Sequence, residues 1–241
     1  MSASFTIERS TPAAQDSLVV NEHGAVDTLC INGRQIFGNT SAMSRLTQHN
    51  GLGDQLDGEV LGLHFKKLDS PQRLYSSMQI GNPQRVEVVS QAELIPDGFR
   101  VVRSVRNLHA SRPVRAEFPV VAGIPLSDEE RHASFKLRIA GREPIVLDPL
   151  EAGDERVRSH LFIGAAATID LGGRQMSVSS QTIFEGSATR PIQAPEGRLF
   201  VQRESDALYI GPAACDGICE GLELRPSEAL ITGATFTFDQ A

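Results

Sequence analysis

Apolar and polar residues alternate along much of this chain with a period of two. In GFRVVRSVRN (98–107), Phe99, Val101, Arg103 and Val105 share one parity, and Arg100, Val102, Ser104 and Arg106 share the other. In LITGATFTFD (230–239), Leu230, Ala234, Phe236 and Phe238 alternate with Ile231, Gly233, Thr235 and Thr237. RQMSVSSQTIF (174–184) sets Met176, Val178 and Phe184 on one parity and small or polar groups on the other. Successive side chains of a strand point to opposite faces, so this pattern predicts half-buried β-strands.

Turn formers punctuate the runs at short intervals: EHG at 22–24, NGR at 32–34, PDG at 96–98, AGR at 140–142, GGR at 172–174 and PEG at 195–197. Each supplies a residue that tolerates positive φ or presets a turn. ATIDLGGRQMSV reads as the strongest hairpin, two alternating segments joined by Gly172 and Gly173. About fifteen strands are expected from this spacing. Helix signals are few. Ser127 and Glu130 stand in the S-x-x-E relation of a capping box, and TSAMSRLTQ (40–48) could form another short turn of helix. The expected fold class is therefore all-β: a large antiparallel sandwich of two packed sheets with one or two short helices. It forms a single domain over 1–241, with any division into lobes near 148–159, where Pro149 and Gly153 interrupt a charged segment.

Composition narrows the function classes. The 241 residues carry a formal charge of −7 and 22% charged residues, which argues against a nucleic-acid surface. No apolar run reaches the ~18 residues that span a bilayer, so no membrane partner is expected. MSASFTIERS has neither the basic start nor the apolar stretch of an export signal, and the cysteines number three, Cys30, Cys215 and Cys219. Together these predict a cytoplasmic protein with reduced thiols. Cys215 and Cys219 lie close in CDGIC, but no histidine or third cysteine stands near them, and no metal or other cofactor is expected. Trp is absent and Tyr occurs only at 75 and 209, so aromatic stacking platforms are scarce.

Candidate chemistry is scattered. Arg100, Arg103, Arg106, Arg112 and Arg115 crowd sixteen residues of an acidic chain. Guanidinium groups clamp carboxylates and phosphates, so Arg103 and Arg106 are candidates to orient an anionic ligand group. The competing reading pairs these arginines with Glu87, Glu93 and Glu117 across neighbouring strands. Among six histidines none shows metal-ligand spacing. His49 and His64 flank the acidic, glycine-rich TQHNGLGDQLDGE (47–59) and are the candidates for proton transfer. His64 shares parity with Gly62 and Lys66 rather than with Leu63 and Phe65, which directs it away from the apolar side. Asp54 in the same loop is a candidate ligand contact, and Asp57 and Glu59 do not complete a calcium loop. No nucleophile elbow, phosphate-binding loop or dinucleotide fingerprint is present.

Two phrases carry a family resemblance. NEHGAVDTLCINGRQIFG reads like the opening hairpin of large carbohydrate-active β-sandwiches, and LIPDGFRVVRSVRNLHASRPVRAEFPVVAGIPL looks like their central strands. Together, over about a third of the chain, they resemble the galactose mutarotase-like supersandwich, shared by aldose epimerases and non-catalytic domains of glycosidases and polysaccharide lyases. The resemblance implies a carbohydrate or anionic small molecule bound on a concave sheet face. If the chain is catalytic, it implies an isomerase, lyase or hydrolase. The chain departs from the epimerase pattern where a G-x-H-P phrase normally supplies a histidine: these positions read Gly123, Ile124, Pro125 and Leu126. DALYIGPAACDGICEGLELRPSEALI is similar to the ends of small β-domains in phage and assembly proteins. That likeness supports the alternative of a non-catalytic structural protein, a homo-oligomer, or an accessory subunit of a carbohydrate-active enzyme.

Overall fold

A computed structural model describes residues 4–10, 15–21, 26–37, 60–67, 73–80, 86–111, 113–116, 122–150, 158–163, 166–185, 198–212 and 222–240. Nineteen strands and one short helix lie among them. The N-terminal part contributes β1 (Ser4–Ser10), β2 (Gln15–Asn21), β3 (Val26–Ile31), β4 (Arg34–Phe37), β5 (Val60–Lys67) and β6 (Arg73–Ile80). The middle adds β7 (Val86–Ile95), β8 (Gly98–Asn107), β9 (Val114–Ala116), β10 (Ala122–Pro125), α1 (Asp128–His132), β11 (Phe135–Ile139) and β12 (Ile145–Leu147). The rest is β13 (Arg158–Ile163), β14 (Ala166–Asp170), β15 (Arg174–Glu185), β16 (Arg198–Arg203), β17 (Ala207–Pro212), β18 (Leu222–Leu224) and β19 (Ala229–Gln240).

These strands pair antiparallel into a nine-stranded sheet ordered β12-β11-β14-β15-β19-β8-β7-β6-β5, with four-stranded sheets β1-β2-β3-β4 and β10-β17-β16-β13 and the pair β18-β9. The all-β, antiparallel expectation stands, but among the described residues the expected two sheets become three, with β18-β9 as a separate two-stranded pair. Alternation reports which face of a strand is buried; it carries no information about which edges meet. Three-residue strands such as β9, β12 and β18 are also too short to show a period, which lifts the count above the expected fifteen.

The large sheet is the base of the molecule. β1 and β2 pack on β7, and β17 packs on β15 and β19, so the two four-stranded sheets cover its inner face side by side. Leu94, Phe99, Phe236, Phe238, Met176 and Val178 from the base form one apolar core with Ile7, Leu18 and Leu29 from the first cover and Ile124, Val201 and Ile210 from the second. The parities read from sequence match the burial: Phe99, Val101, Arg103 and Val105 are buried, while Arg100 is exposed and Val102, Ser104 and Arg106 are half-buried. β17 is buried at every position.

Turns and caps follow the local chemistry. Asn32 and Gly33 both take positive φ (52° and 73°), closing the β3–β4 hairpin with a turn whose twist matches the strands. The β14–β15 hairpin forms as expected around Gly172 and Gly173. Ser127 caps α1, and the full capping box with Glu130 is present. The second short helix expected at 40–48 lies outside the described residues, as does most of the segment 148–159. Among the described residues no helix is long and apolar enough to cross a membrane.

Candidate functional site

Among the described residues the inner face of the base sheet is mostly apolar, with a buried polar row in its middle and buried Asn107 two rows beyond it. At its hairpin end, Leu94, Phe99, Phe236 and Val178 stand opposite one another on β7, β8, β19 and β15. The next row is small, with Ala92, Val101 and Ala234. Then Ser90, Arg103 and Thr232 face one another on β7, β8 and β19, and beyond them Val88, Val105 and Leu230 restore an apolar row. Ser76 of β6 and Thr182 of β15 occupy the flanking positions of the polar row. Cross-strand neighbours on one face touch, so three buried polar side chains form a continuous patch across the central strands.

Arg103 is the centre of the patch. Its residue is 4% exposed, and its Nε donates to Ser90 Oγ at 2.9 Å. Burial pushes its pKa down from 12.5 to about 10, because a guanidinium removed from water loses the solvation that favours its charge. Thr232 is fully buried, and its Oγ1 has no hydrogen-bond partner in the structure. A buried hydroxyl left unpaired carries a desolvation cost of about 1–3 kcal/mol. Thr232→Val should therefore raise the unfolding free energy by about 1 kcal/mol, seen as a Tm increase of roughly 2–4 °C. A lower Tm would mean that the hydroxyl is satisfied in the folded protein.

The far end of β8 is pinned by a polar turn. Asn107 Nδ2 donates to Leu224 O at 2.9 Å, and Asn107 Oδ1 accepts from the His109 amide at 2.8 Å. The Arg225 amide donates to Glu228 Oε2 at 2.8 Å, and the Asn107 amide to Glu228 O at 3.0 Å. These bonds fix β8 against the start of β19 and so hold the Arg103–Thr232 register.

The other predicted residues distribute differently. His49, Asp54, the whole 47–59 stretch and the Cys215–Cys219 pair lie outside the described residues. His64 is on β5 opposite Ser77, which places it in the ladder row of Val89 and Ser104, on the opposite sheet parity from Arg103, so the register does not bring the two together on one face. Arg106 is on the opposite sheet face from Arg103, directly across from Glu87, and its Nη1 donates to Ser227 O at 3.2 Å. Arg100 faces Glu93 in the same way. The register sets each of these two arginines directly across from a glutamate, the placement the competing reading requires. Among the described residues no group of three or more histidine, cysteine or acidic side chains is arranged to hold a metal.

A second concavity was not read from sequence. A cavity of about 420 Å³ opens where β4, α1, the β14–β15 turn and the end of β19 meet, lined by Arg34, Glu129, Glu130, Arg174 and Asp239 among others. Arg174 donates to Glu130 Oε1 at 2.7 Å and Oε2 at 2.9 Å, to Ile36 O at 3.0 Å and to Pro125 O at 3.1 Å. Those bonds join α1 and both covering sheets to β15, so Arg174 acts as a brace at the three-way junction. A guanidinium engaged on this many protein acceptors has little left for a ligand.

No protein-family model matches the sequence, and no curated protein matches it either. Solved structures do match. The Slr1438 protein of Synechocystis sp. PCC 6803 aligns with a TM-score of 0.62 at 12% identity, over 100% of this chain and 97% of that one. A candidate aldose 1-epimerase of Escherichia coli K12 aligns at 0.61 and 13% identity, over 99% and 100%. A galactose mutarotase-like protein of Lactobacillus casei ATCC 334 aligns at 0.59 and 11%, over 98% and 100%. Identities this low speak for architecture and not for chemistry. The fold of this chain is that of the galactose mutarotase-like β-sandwiches.

Proposed function

We propose that this chain binds, and in its catalytic form processes, a sugar or similar polar small molecule on the inner face of its nine-stranded sheet. The observation that carries the reading is the buried row Ser90–Arg103–Thr232, a polar stripe across the middle of a mostly apolar face. Structures of this fold include a candidate aldose 1-epimerase, which makes a sugar the natural first ligand to test. Arg103 takes the orienting role, since Arg106 lies on the other face opposite Glu87. His49 is assigned proton transfer and Asp54 a ligand contact, while His64 shares the sheet parity of Ser104 and Arg106 and takes no role toward an inner-face ligand.

The test is anomer exchange of D-glucose and D-galactose followed by NMR. His49→Ala should slow exchange by at least about tenfold, the low end for removing a general acid or base, while His64→Ala should leave it near the wild-type rate. A wild-type rate in His49→Ala would remove the proton-transfer assignment.

A non-catalytic reading has one observation of its own. β10 carries Gly123, Ile124 and Pro125 where epimerases place a histidine, and Ile124 is fully buried. On that reading the protein binds sugar without exchanging its anomers, as an accessory subunit or assembly component. Saturable binding with no exchange above the buffer rate, and a large symmetric species in light scattering, would favour it.

A further inference from the structure

We propose that the cavity at the junction of the three sheets binds a small diamino acid, a molecule with one carboxylate, two ammonium groups and an aliphatic stem. The site is separate from the inner-face row. Phe238 on its floor and Thr232 in that row stand six residues apart on β19, roughly 20 Å of strand.

The cavity measures about 420 Å³, within the range of small-molecule sites. Its walls come from all three sheets and α1: Arg34 from β4, Pro125 from β10, Glu129 from α1, and Phe238 and Asp239 from the base. Arg174 bonds to Ile36 O, Pro125 O and the Glu130 carboxylate, so these walls are fixed before any ligand arrives. A site that needs no ordering on binding keeps more of its contact energy as affinity.

Floor and rim differ in chemistry. Leu171 and Phe238 are buried and Ala133 is half-buried, which gives the cavity an apolar base. Arg34, Glu129 and Asp239 are its exposed charged lining. Among the described residues these three side chains make no hydrogen bond or ion pair with the protein. Arg174 and Glu130 neutralise each other at 2.7 and 2.9 Å and leave no net charge for a ligand to answer. One guanidinium and two carboxylates remain, so the complementary ligand carries one anionic and two cationic groups.

Each part of a diamino acid then has a counterpart. Arg34 takes the carboxylate with the planar fork of its guanidinium. Glu129 and Asp239 accept from the two ammonium groups, and the methylene stem lies over Leu171 and Phe238. A neutral sugar would leave all three charges unanswered. A phosphate would face two carboxylates of its own sign.

The experiment titrates the full chain with L-lysine, L-norleucine and cadaverine. NMR follows the amides of Gly172 and Gly173 and the methyl groups of Leu171 and Ala133, all in the cavity wall. L-Norleucine lacks the terminal ammonium of L-lysine, and cadaverine lacks its carboxylate. L-Lysine should shift these signals saturably and bind at least about tenfold tighter than either, the contribution of one hydrogen bond between charged groups. Arg34→Gln should abolish the preference over cadaverine, and Glu129→Gln with Asp239→Asn should abolish the preference over L-norleucine. These are exposed positions, so each variant should keep its Tm within a few degrees of wild type. The methyl groups of Val105 and Leu230, beside the inner-face row, should stay silent throughout.

No shift with L-lysine would overturn the proposal. So would equal binding of the three compounds, or preferences that survive in the charge variants. A response at Val105 and Leu230 with silent glycine amides would put the ligand on the inner face, overturning this site and leaving the inner-face reading intact.

Discussion

Gly98→Ala is expected to lower the unfolding free energy by roughly 3 kcal/mol or more, at the upper end of overpacking effects. A Cβ at this position would lie 1.9 Å from Phe236 O, 2.9 Å from Phe236 C and 3.0 Å from Thr237 Cα. All three are backbone atoms of β19, so no side chain can swing aside to make room. β19 lies between β8 and β15, paired along most of its length on both sides, and cannot retreat without breaking a ladder. The turn is also tied to β19 from the other side, because the Phe238 amide donates to Asp97 O at 2.8 Å. Any outward shift would separate the Phe99 and Phe236 rings, stacked with centroids 4.9 Å apart in the core. In a chain of this size the loss corresponds to a Tm decrease of about 6–12 °C. Gly173→Ala is the control: a Cβ there would meet nothing within 4 Å, and a change within about 0.5 kcal/mol is expected. Denaturant melts of the two variants decide the matter, and equal midpoints would refute the close-approach account.

Gly98 also shows what local sequence could and could not convey. PDG marks it as a turn residue, and the turn is there, with Asp97 at φ 58°. The demand for glycine comes from a strand more than a hundred residues away, and no local pattern encodes that contact. The same division holds across the fold. Alternation identified the buried parities of β8 and β19, and opposite charges at Glu87–Arg106 and Glu93–Arg100 were legible because neighbouring strands joined by a tight turn have a fixed register. The number of sheets was not legible, since edge pairing is set by long-range packing.

The candidate site divides in the same way. Arg103 could be singled out because it is a charge on the apolar parity of a strand, and the structure buries it. Its neighbours could not. Ser90 and Thr232 are ordinary residues whose significance depends on ladders closed by β7 and β19. Arg203 offered the signal that Arg103 did: in RLFVQR it follows Leu199 and Val201 on their parity, and all three are buried. A charge at an apolar position marks a residue that needs a special partner. For Arg203 that partner is the protein itself.

Arg203→Met is accordingly expected to destabilise the fold by about 3–5 kcal/mol, the range for removing one member of a buried charged network. Arg203 is 2% exposed. Its Nη1 donates to Leu147 O at 2.7 Å, and its Nη2 to Glu130 O and Arg131 O, both at 3.1 Å. The guanidinium carbon sits 4.0 Å over the centre of the Phe135 ring, a contact that adds attraction between cation and ring face. Burial pushes the Arg203 pKa down and the nearby Asp148 carboxylate pulls it back up. One side chain of β16 therefore joins a covering sheet to the last turn of α1 and to the edge strand β12. Glu130 O keeps its bond from the Ala133 amide, but methionine offers none of the three carbonyls the donor that Arg203 supplied. Arg203→Lys keeps the charge but cannot present a planar fork to three acceptors, so it should fall between wild type and Arg203→Met. Chemical denaturation measures the loss, and hydrogen exchange should show it first as early opening of β12 and α1. If Arg203→Met were as stable as wild type, the account of Arg203 as a brace would fail.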